Sequence, residues 1–139
     1  MTTEKIIKAN LLFQSFTYDK DSDSWLILFE GNTLLNITAF WRLLVNNEIW
    51  EVSLDHGHLF GHTKPVDLVE RMVEHLTNRR LTEIKIKNST GDLILTLTDN
   101  YQIEVLISSS GYESYNLKLE DTLYVGMGGG EIAIFDDYR

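Results

Sequence analysis

The sequence predicts an α+β protein, built mainly from antiparallel β-sheet in two meanders with one principal helix between them. Two observations predict it. An apolar run, a turn dipeptide and a second alternating run occur over 25–37 and again over 92–105, and this is the pattern of a β-hairpin. Between the two copies, residues 65–78 carry apolar side chains at helical spacing.

The two hairpin patterns indicate an internal repeat, which bears on the architecture but not on the chemistry. No proline-rich or low-complexity linker separates the halves. We therefore expect a single domain over 1–139, with a duplication of about 11–54 and 81–135 flanking the helix. The first copy contains Trp25 to Phe29, Gly31-Asn32 and Leu35 to Ile37, and the second contains Asp92 to Thr96, Asp99-Asn100 and Ile103 to Val105.

Eleven segments are predicted as strands, because β-branched and aromatic residues alternate or run together between turn residues. Leu81 to Lys87 alternates most strictly, which is typical of a strand with one solvated face. The first meander comprises 11–17, 25–29, 33–38, 41–45 and 49–54, and the second comprises 81–87, 93–97, 101–107, 115–119, 123–125 and 131–135.

The helix is predicted over 65–78, with Thr63 as its N-cap and Pro65, the only proline, in its first turn. Asn78 is expected to end it in a left-handed conformation. The apolar stripe should pack on a sheet face. The side chains expected to be mostly buried are Leu26, Leu28, Leu93, Leu95, Val69, Met72, Val73 and Leu76.

Composition excludes several classes of function. The formal net charge is −9, from 12 basic and 21 acidic residues, and this disfavours nucleic acids and anionic membrane surfaces as partners. The absence of cysteine excludes disulfides and thiolate chemistry. The first residues lack the apolar region of a signal peptide, and no apolar stretch is long enough to span a membrane. We expect a cytoplasmic protein of a bacterium-like cell.

One segment imitates a calcium-binding loop. Asp19, Asp21, Asp23 and Glu30 occupy positions 1, 3, 5 and 12 of an EF-hand pattern. However, Ser24 stands where the sharp turn requires glycine, and the flanking segments are predicted strands rather than helices. A solvated hairpin turn is therefore the favoured interpretation.

His56, His58 and His62 are the candidate metal ligands of the chain. If His56 and His58 extend a strand, their imidazoles share a face and could bind zinc or nickel, with His62 or Asp55 completing the site. A polar connector between meander and helix is the alternative, and it is favoured because no fourth ligand has diagnostic spacing. We predict no tightly bound metal and no cofactor.

No catalytic constellation is recognisable. Gly126 to Gly130 precedes a predicted strand rather than a helix, so a turn that needs positive φ angles is favoured over a phosphate-binding loop. Ser108 to Tyr115 offers hydroxyl groups without a nucleophile elbow. We therefore predict that the protein is not an enzyme.

Aromatic residues near turns are the candidate contacts for a partner. Trp41 and Arg42 lie in the strand after the first hairpin, and Tyr112 and Tyr115 lie after the second. Tryptophan, tyrosine and arginine are enriched among the residues that contribute most to protein interfaces. The alternative is that these residues belong to the core and the sheet edges.

These motifs also carry a resemblance. The order of Trp41-Arg42-Leu43 and Ser109 to Tyr115 resembles that of a loose group of small, uncharacterised bacterial proteins, in which such elements follow β-hairpins. Tyr115 stands where that pattern usually has tryptophan. The likeness spans roughly 25–130, and it implies proteins similar to immunity partners of bacterial toxins.

The predicted function is therefore protein–protein contact without catalysis. The resemblance implies a specific form of this function, an immunity-type inhibitor, and the acidic charge suits a basic toxin as its partner. Two alternatives remain open. One is a structural protein that forms a homodimer. The other is a protein that binds a small ligand or a metal at the His56-His58-His62 loop.

Overall fold

The computed structural model describes residues 4–137. In this range the chain forms eleven β-strands and one α-helix, α1, over Leu68–Leu76. Short 3₁₀ turns occur at Ser53–Asp55, Thr98–Asn100 and Gly128–Gly130. The strands are β1 (Glu4–Asp19), β2 (Ser24–Phe29), β3 (Thr33–Ile37), β4 (Phe40–Val45), β5 (Glu48–Val52), β6 (Arg80–Lys87), β7 (Leu93–Leu97), β8 (Tyr101–Leu106), β9 (Tyr115–Leu119), β10 (Thr122–Gly126) and β11 (Ile132–Phe135).

All eleven strands belong to one antiparallel sheet, in the order β11-β10-β9-β3-β2-β1-β6-β7-β8-β4-β5. The long strand β1 joins its two halves. Residues 4–12 pair with β6 and residues 13–19 pair with β2. Register shifts at 8–11 and 13–15 interrupt the two pairings, and such irregularities bend a strand.

The strand order has an approximate internal symmetry. On one side of the centre lie β1, β2, β3 and β9, and on the other lie β6, β7, β8 and β4. Strands whose numbers differ by five occupy equivalent positions in the two halves, namely β1 and β6, β2 and β7, β3 and β8, and β9 and β4. The fourth strand is exchanged, because β4 follows β3 in the chain but pairs with β8, whereas β9 follows β8 but pairs with β3. Both predicted hairpins are present, and the internal duplication stays a prediction.

The prediction of an α+β class is wrong, because the described chain is essentially all-β with one nine-residue helix. The predicted helix of 65–78 loses its first turn. The amide of Val66 donates to the carbonyl of His58, and the amide of Gly57 donates to the carbonyl of Val66, so this part of the chain closes a loop instead. Asp67, not Thr63, is the N-cap, and its carboxylate accepts a hydrogen bond from the amide of Glu70. Asn78 has a positive φ of 68°, as expected.

The eleven predicted strand segments are all present, although β1 starts seven residues earlier than expected. The predicted core is wrong on β2, where Trp25, Ile27 and Phe29 are buried and Leu26 and Leu28 are half-buried. An unbroken apolar run does not indicate which of its two faces points inward. In β2 the inward face carries both aromatic side chains of the strand, Trp25 and Phe29.

On α1 the buried side chains are Leu68, Met72 and Leu76, which lie four residues apart in one line. Val69 is half-buried against the core, but the predicted burial of Val73 is wrong, since its side chain is 38% exposed. A short helix on a sheet buries only a narrow stripe, and Val73 lies at its flank. The predicted burial of Leu93 and Leu95 is confirmed.

Candidate functional site

The candidate site is a cleft of about 430 Å³, to which four separate segments contribute. We call it the Tyr18 cleft. The end of β1 and the following turn form one side, the crossover between β3 and β4 forms another, and residues 53–56 after β5 form a third. Ser108, at the start of the crossover from β8 to β9, completes the lining. The cleft therefore lies where the two halves of the sheet exchange strands.

Three aromatic rings form one wall of the cleft. The ring centroids of Tyr18 and Trp25 are 4.2 Å apart, and the ring of His56 lies 5.0 Å from that of Tyr18 and 5.1 Å from that of Trp25. Trp25 also meets Trp41 edge-on at 5.1 Å, and this second tryptophan is fully buried. The wall is thus continuous with the core and is held in place by packing.

The acidic turn after β1 borders the cleft through Asp23. The hydroxyl of Tyr18 donates to Asp23 Oδ1 at 2.6 Å, and the amide of Asp21 donates to Asp19 Oδ1 at 3.0 Å. The bond to Asp23, burial, and the charges of Asp23 and Asp19 together raise the pKa of Tyr18 above its ordinary value of 10.0. The carboxylates of Asp23 and Asp19 therefore place negative charge beside Tyr18.

The calcium-loop pattern is not assembled in the structure. Glu30, its twelfth position, lies at the opposite end of β2 from the acidic turn. There its carboxylate accepts hydrogen bonds from the amide of Leu12 and the guanidinium of Arg80. A six-residue strand separates the carboxylates that a calcium ion would need together.

The three candidate histidine ligands do not converge. His56 Nδ1 accepts a hydrogen bond of 3.1 Å from the amide of Leu68, at the start of α1, so the neutral ring carries its proton on Nε2. His58 stacks on Phe60 with ring centroids 5.6 Å apart, and His62 is exposed. Over residues 4–137, no three histidine, aspartate or glutamate side chains form a group that could hold a metal ion.

Two serines fix the crossover between β3 and β4, which forms one side of the cleft. The amide of Trp41 donates to Ser53 Oγ at 3.0 Å, and the amide of Phe40 donates to Ser108 Oγ at 3.3 Å. Ser108 Oγ in turn donates to the carbonyl of Leu106. These serine hydroxyls are therefore engaged with the backbone, and they fix the crossover relative to residue 53 and to the end of β8.

The predicted partner contacts lie in different environments. Trp41 and Tyr115 are fully buried, so neither presents a surface to a partner. Arg42 is half-buried, and its Nε donates to Glu104 at 2.9 Å on the neighbouring strand. Tyr112 is 81% exposed, on the crossover that begins near Ser108 in the cleft. Of the four candidates, Tyr112 therefore offers the largest free surface.

Exposed apolar residues in the segment between β5 and α1 were not predicted from the sequence. Leu54 lines the cleft and is 69% exposed, and Leu59 and Phe60 protrude from the loop that Gly57 and Val66 close. Phe60 has a φ of 46°, which is rare for a bulky residue and is found mostly where the surrounding structure imposes it. A positive φ leaves no pattern in a sequence unless glycine or asparagine occupies the position.

Asp23 supplies the carboxylate that lines the cleft, and within the described chain no lysine or arginine lines it. The adjoining turn, residues 19–23, contains three aspartates and one lysine. Carboxylate oxygens beside aromatic faces form an environment that suits a cationic group.

No known protein family, curated protein or solved structure matches this chain. None of the helices in residues 4–137 has the length and apolar character needed to cross a membrane.

Proposed function

We propose that the protein acts by binding another protein, of basic character, at the Tyr18 cleft and its acidic turn. The observation that carries this proposal is the composition of the cleft, which combines an aromatic wall, the carboxylate of Asp23 and the exposed Leu54 without a lysine or arginine. Protein interfaces depend on a few aromatic and apolar side chains, and complementary charge speeds the encounter. An immunity-type inhibitor of a basic toxin is the specific form of this function, supported by the net charge of −9.

The test is a pull-down from a native-like lysate, including the products of neighbouring genes, at low and at high ionic strength. The bait is compared with the D19N/D21N variant, which removes two charges of the acidic turn and leaves Asp23 in place. Its matched control is E120Q/D121N, which removes two charges from the exposed turn between β9 and β10. Only the first variant should lose the partner, and the loss should resemble that caused by salt, which screens exposed charges.

Two results would contradict the proposal. One is capture of the same protein by all three baits, with equal recovery at each ionic strength. The other is the absence of any captured protein, including the products of the neighbouring genes.

A homodimer is the second candidate, and the edge strand β5 favours it. β5 pairs only with β4, and its Ile49 and Trp50 are 56% and 47% exposed. Natural edge strands are often protected by charged side chains, especially lysine, by proline, by bulges or by a cover. β5 contains two glutamates and a register shift against β4 but neither lysine nor proline. Sedimentation of the wild type should then give a dimer that Ile49→Lys abolishes. Ile134→Lys, on the opposite edge strand β11, is the matched control, and a wild-type monomer at all concentrations would exclude this candidate.

A further inference from the structure

We infer that the Tyr18 cleft accepts a lysine or arginine side chain of the protein partner, with its cationic end next to Asp23 and the aromatic wall. This inference rests on the proposed function, because it assigns the contact by which the partner is recognised. It also goes beyond that function, since it names one chemical group and the residues that receive it.

The charge of the cleft is the first argument. Asp23 Oδ1 accepts from the hydroxyl of Tyr18, and a carboxylate can accept about four hydrogen bonds in total, so acceptor capacity remains for a cation. Asp19, in the same turn, adds to the negative potential at Tyr18. The amide of Leu68 donates to His56 Nδ1, so this nitrogen is engaged with the start of α1 and not with the carboxylate of Asp23.

The aromatic wall is the second argument. Ammonium and guanidinium groups are attracted to the faces of tryptophan and tyrosine, and the attraction is greater where water is excluded. The same chain uses this contact elsewhere, since the guanidinium of Arg79 lies 3.6 Å from the ring centre of Tyr101. Trp25 is 4% exposed and packs against the half-buried rings of Tyr18 and His56 at 4.2 and 5.1 Å. The accessible part of the wall is therefore formed by Tyr18 and His56, which are held in place before a ligand arrives.

The shape of the cleft is the third argument. Its volume of about 430 Å³ lies toward the lower end of the range for small-molecule pockets, about 300–1,000 Å³. The exposed Leu54 offers apolar surface within the cleft. A lysine or arginine side chain has a long apolar stem and a charged end, which matches this pairing of apolar and acidic groups.

The test is an NMR titration of the ¹⁵N-labelled full chain with four probes, at matched ionic strength. The probes are blocked lysine amide, blocked arginine amide, blocked norleucine amide and a short lysine-containing peptide. Norleucine has an unbranched apolar side chain without the charge. The indole N–H of Trp25 reports on the cleft, and that of Trp50, on edge strand β5, reports on non-specific binding.

The lysine, arginine and peptide probes should shift the Trp25 signal, and norleucine should not. Asp23→Asn should weaken the binding of cations at least about tenfold, as expected for the loss of one charge-assisted contact. Asparagine tolerates the positive φ of 49° at this position and keeps an acceptor for Tyr18, so the turn should be retained. Asp121→Asn is the matched control, and Leu54→Ser tests the cleft independently of the turn.

Three outcomes would overturn the inference. Equal shifts with norleucine and lysine would show an apolar pocket. Binding of free lysine amide but not of the peptide would indicate a site for small free amines. No shift of Trp25 with any probe would show that the cleft does not take a cation, whereas the proposed function would still stand if D19N/D21N lost its partner in the pull-down.

Discussion

The turn after β1, the crossover after β3 and the link after β5 contribute to the Tyr18 cleft, whereas their counterparts after β6, β8 and β10 come into close backbone contact. We call this contact between residues 88–92, 107–114 and 127–131 the closed region. In the closed region, the backbone of the segment after β10 contacts the backbone of the segments after β6 and β8. A Cβ atom at Gly130 would lie 2.6 Å from the carbonyl oxygen of Thr90, and one at Gly128 would lie 2.6 Å from the backbone of Gly111. The amide of Gly129 donates to the carbonyl of Ser109, which fastens the link to the crossover.

The difference follows from side chains at corresponding strand positions. In the first half, Trp25 begins the inward face of β2 and forms part of the cleft wall. In the second half, Leu93 takes the corresponding place in β7, and the hydroxyl of Tyr115 donates to the carbonyl of Gly91 across the closed region. In the first half, the large ring of Trp25 and the long link after β5 thus border a cleft. In the second half, glycines allow the three segments of the closed region to approach one another closely. One arrangement of strands therefore supports a binding surface in one half and close packing in the other.

The largest expected effect comes from adding a methyl group to the closed region. Gly130→Ala forces alanine into a φ of 90° and against the carbonyl of Thr90, so we expect a loss of about 2–5 kcal/mol in the free energy of unfolding. Gly57→Ala, beside the cleft, meets the same conformational penalty at a φ of 83° but no atom within 4 Å, and it should cost about 1–2 kcal/mol. Urea denaturation of both variants measures the difference. Equal losses would mean that the closed region is not tightly packed.

The second prediction concerns Trp25, whose place in β7 is taken by Leu93. Trp25→Leu places in β2 the residue type found at the corresponding position of β7. Because Trp25 is 4% exposed and packs against four aromatic rings, the variant should lose about 2–3 kcal/mol of stability. Trp50→Leu, on the exposed edge strand, should lose less than about 1 kcal/mol. Thermal and urea denaturation give both values, and comparable losses for the two variants would contradict the assignment of Trp25 to a rigid wall.

Much of this comparison could be predicted from the sequence, because strands and hairpins leave local patterns. Apolar alternation and turn dipeptides predicted all eleven strands. The exchange of β4 and β9 between the halves could not be predicted, since pairing between distant segments has no local signal. The helix was predicted too long, because Pro65 and Val66 continue the apolar spacing, whereas the backbone of Val66 closes the loop from Gly57.

The candidate site was found only in part. His56 was identified for metal binding, but the structure places it as a helix cap and a member of the aromatic wall. Asp23 was identified as part of a calcium-loop pattern, but in the structure β2 separates it from Glu30, the last position of that pattern. Trp41 and Tyr115 were chosen because they lie near turns, yet both point inward. Position near a turn does not determine which side of a sheet an aromatic ring occupies, and that choice depends on strand register.

The smallest expected effect concerns the hydroxyl of Tyr115 in the closed region. Its hydrogen bond and its ionisation both affect stability, and the pH dependence separates these two effects. At neutral pH, Tyr115→Phe loses the hydrogen bond to the carbonyl of Gly91 and should be less stable by about 1 kcal/mol. Burial, with a smaller contribution from the charge of Asp92, raises the pKa of Tyr115 above its ordinary value of 10.0. The Tyr115 hydroxyl therefore contributes its full stabilisation below pH 10. This contribution is lost as the pH rises above 10, because Tyr115 ionises at a lower pH in the unfolded chain than in the folded protein.

The variant should accordingly lose less stability than the wild type between neutral pH and pH values above 10, so that its deficit shrinks as the pH rises. Some alkaline dependence should remain, because the pKa values of Tyr18 and Tyr124 are raised as well. Tyr112→Phe, on the exposed part of the same crossover, is the control and should follow the wild type at every pH. Urea denaturation in steps across this range measures the three curves. Parallel curves for Tyr115→Phe and the wild type would place the Tyr115 hydroxyl in contact with solvent, and the closed region would then be open like its counterpart.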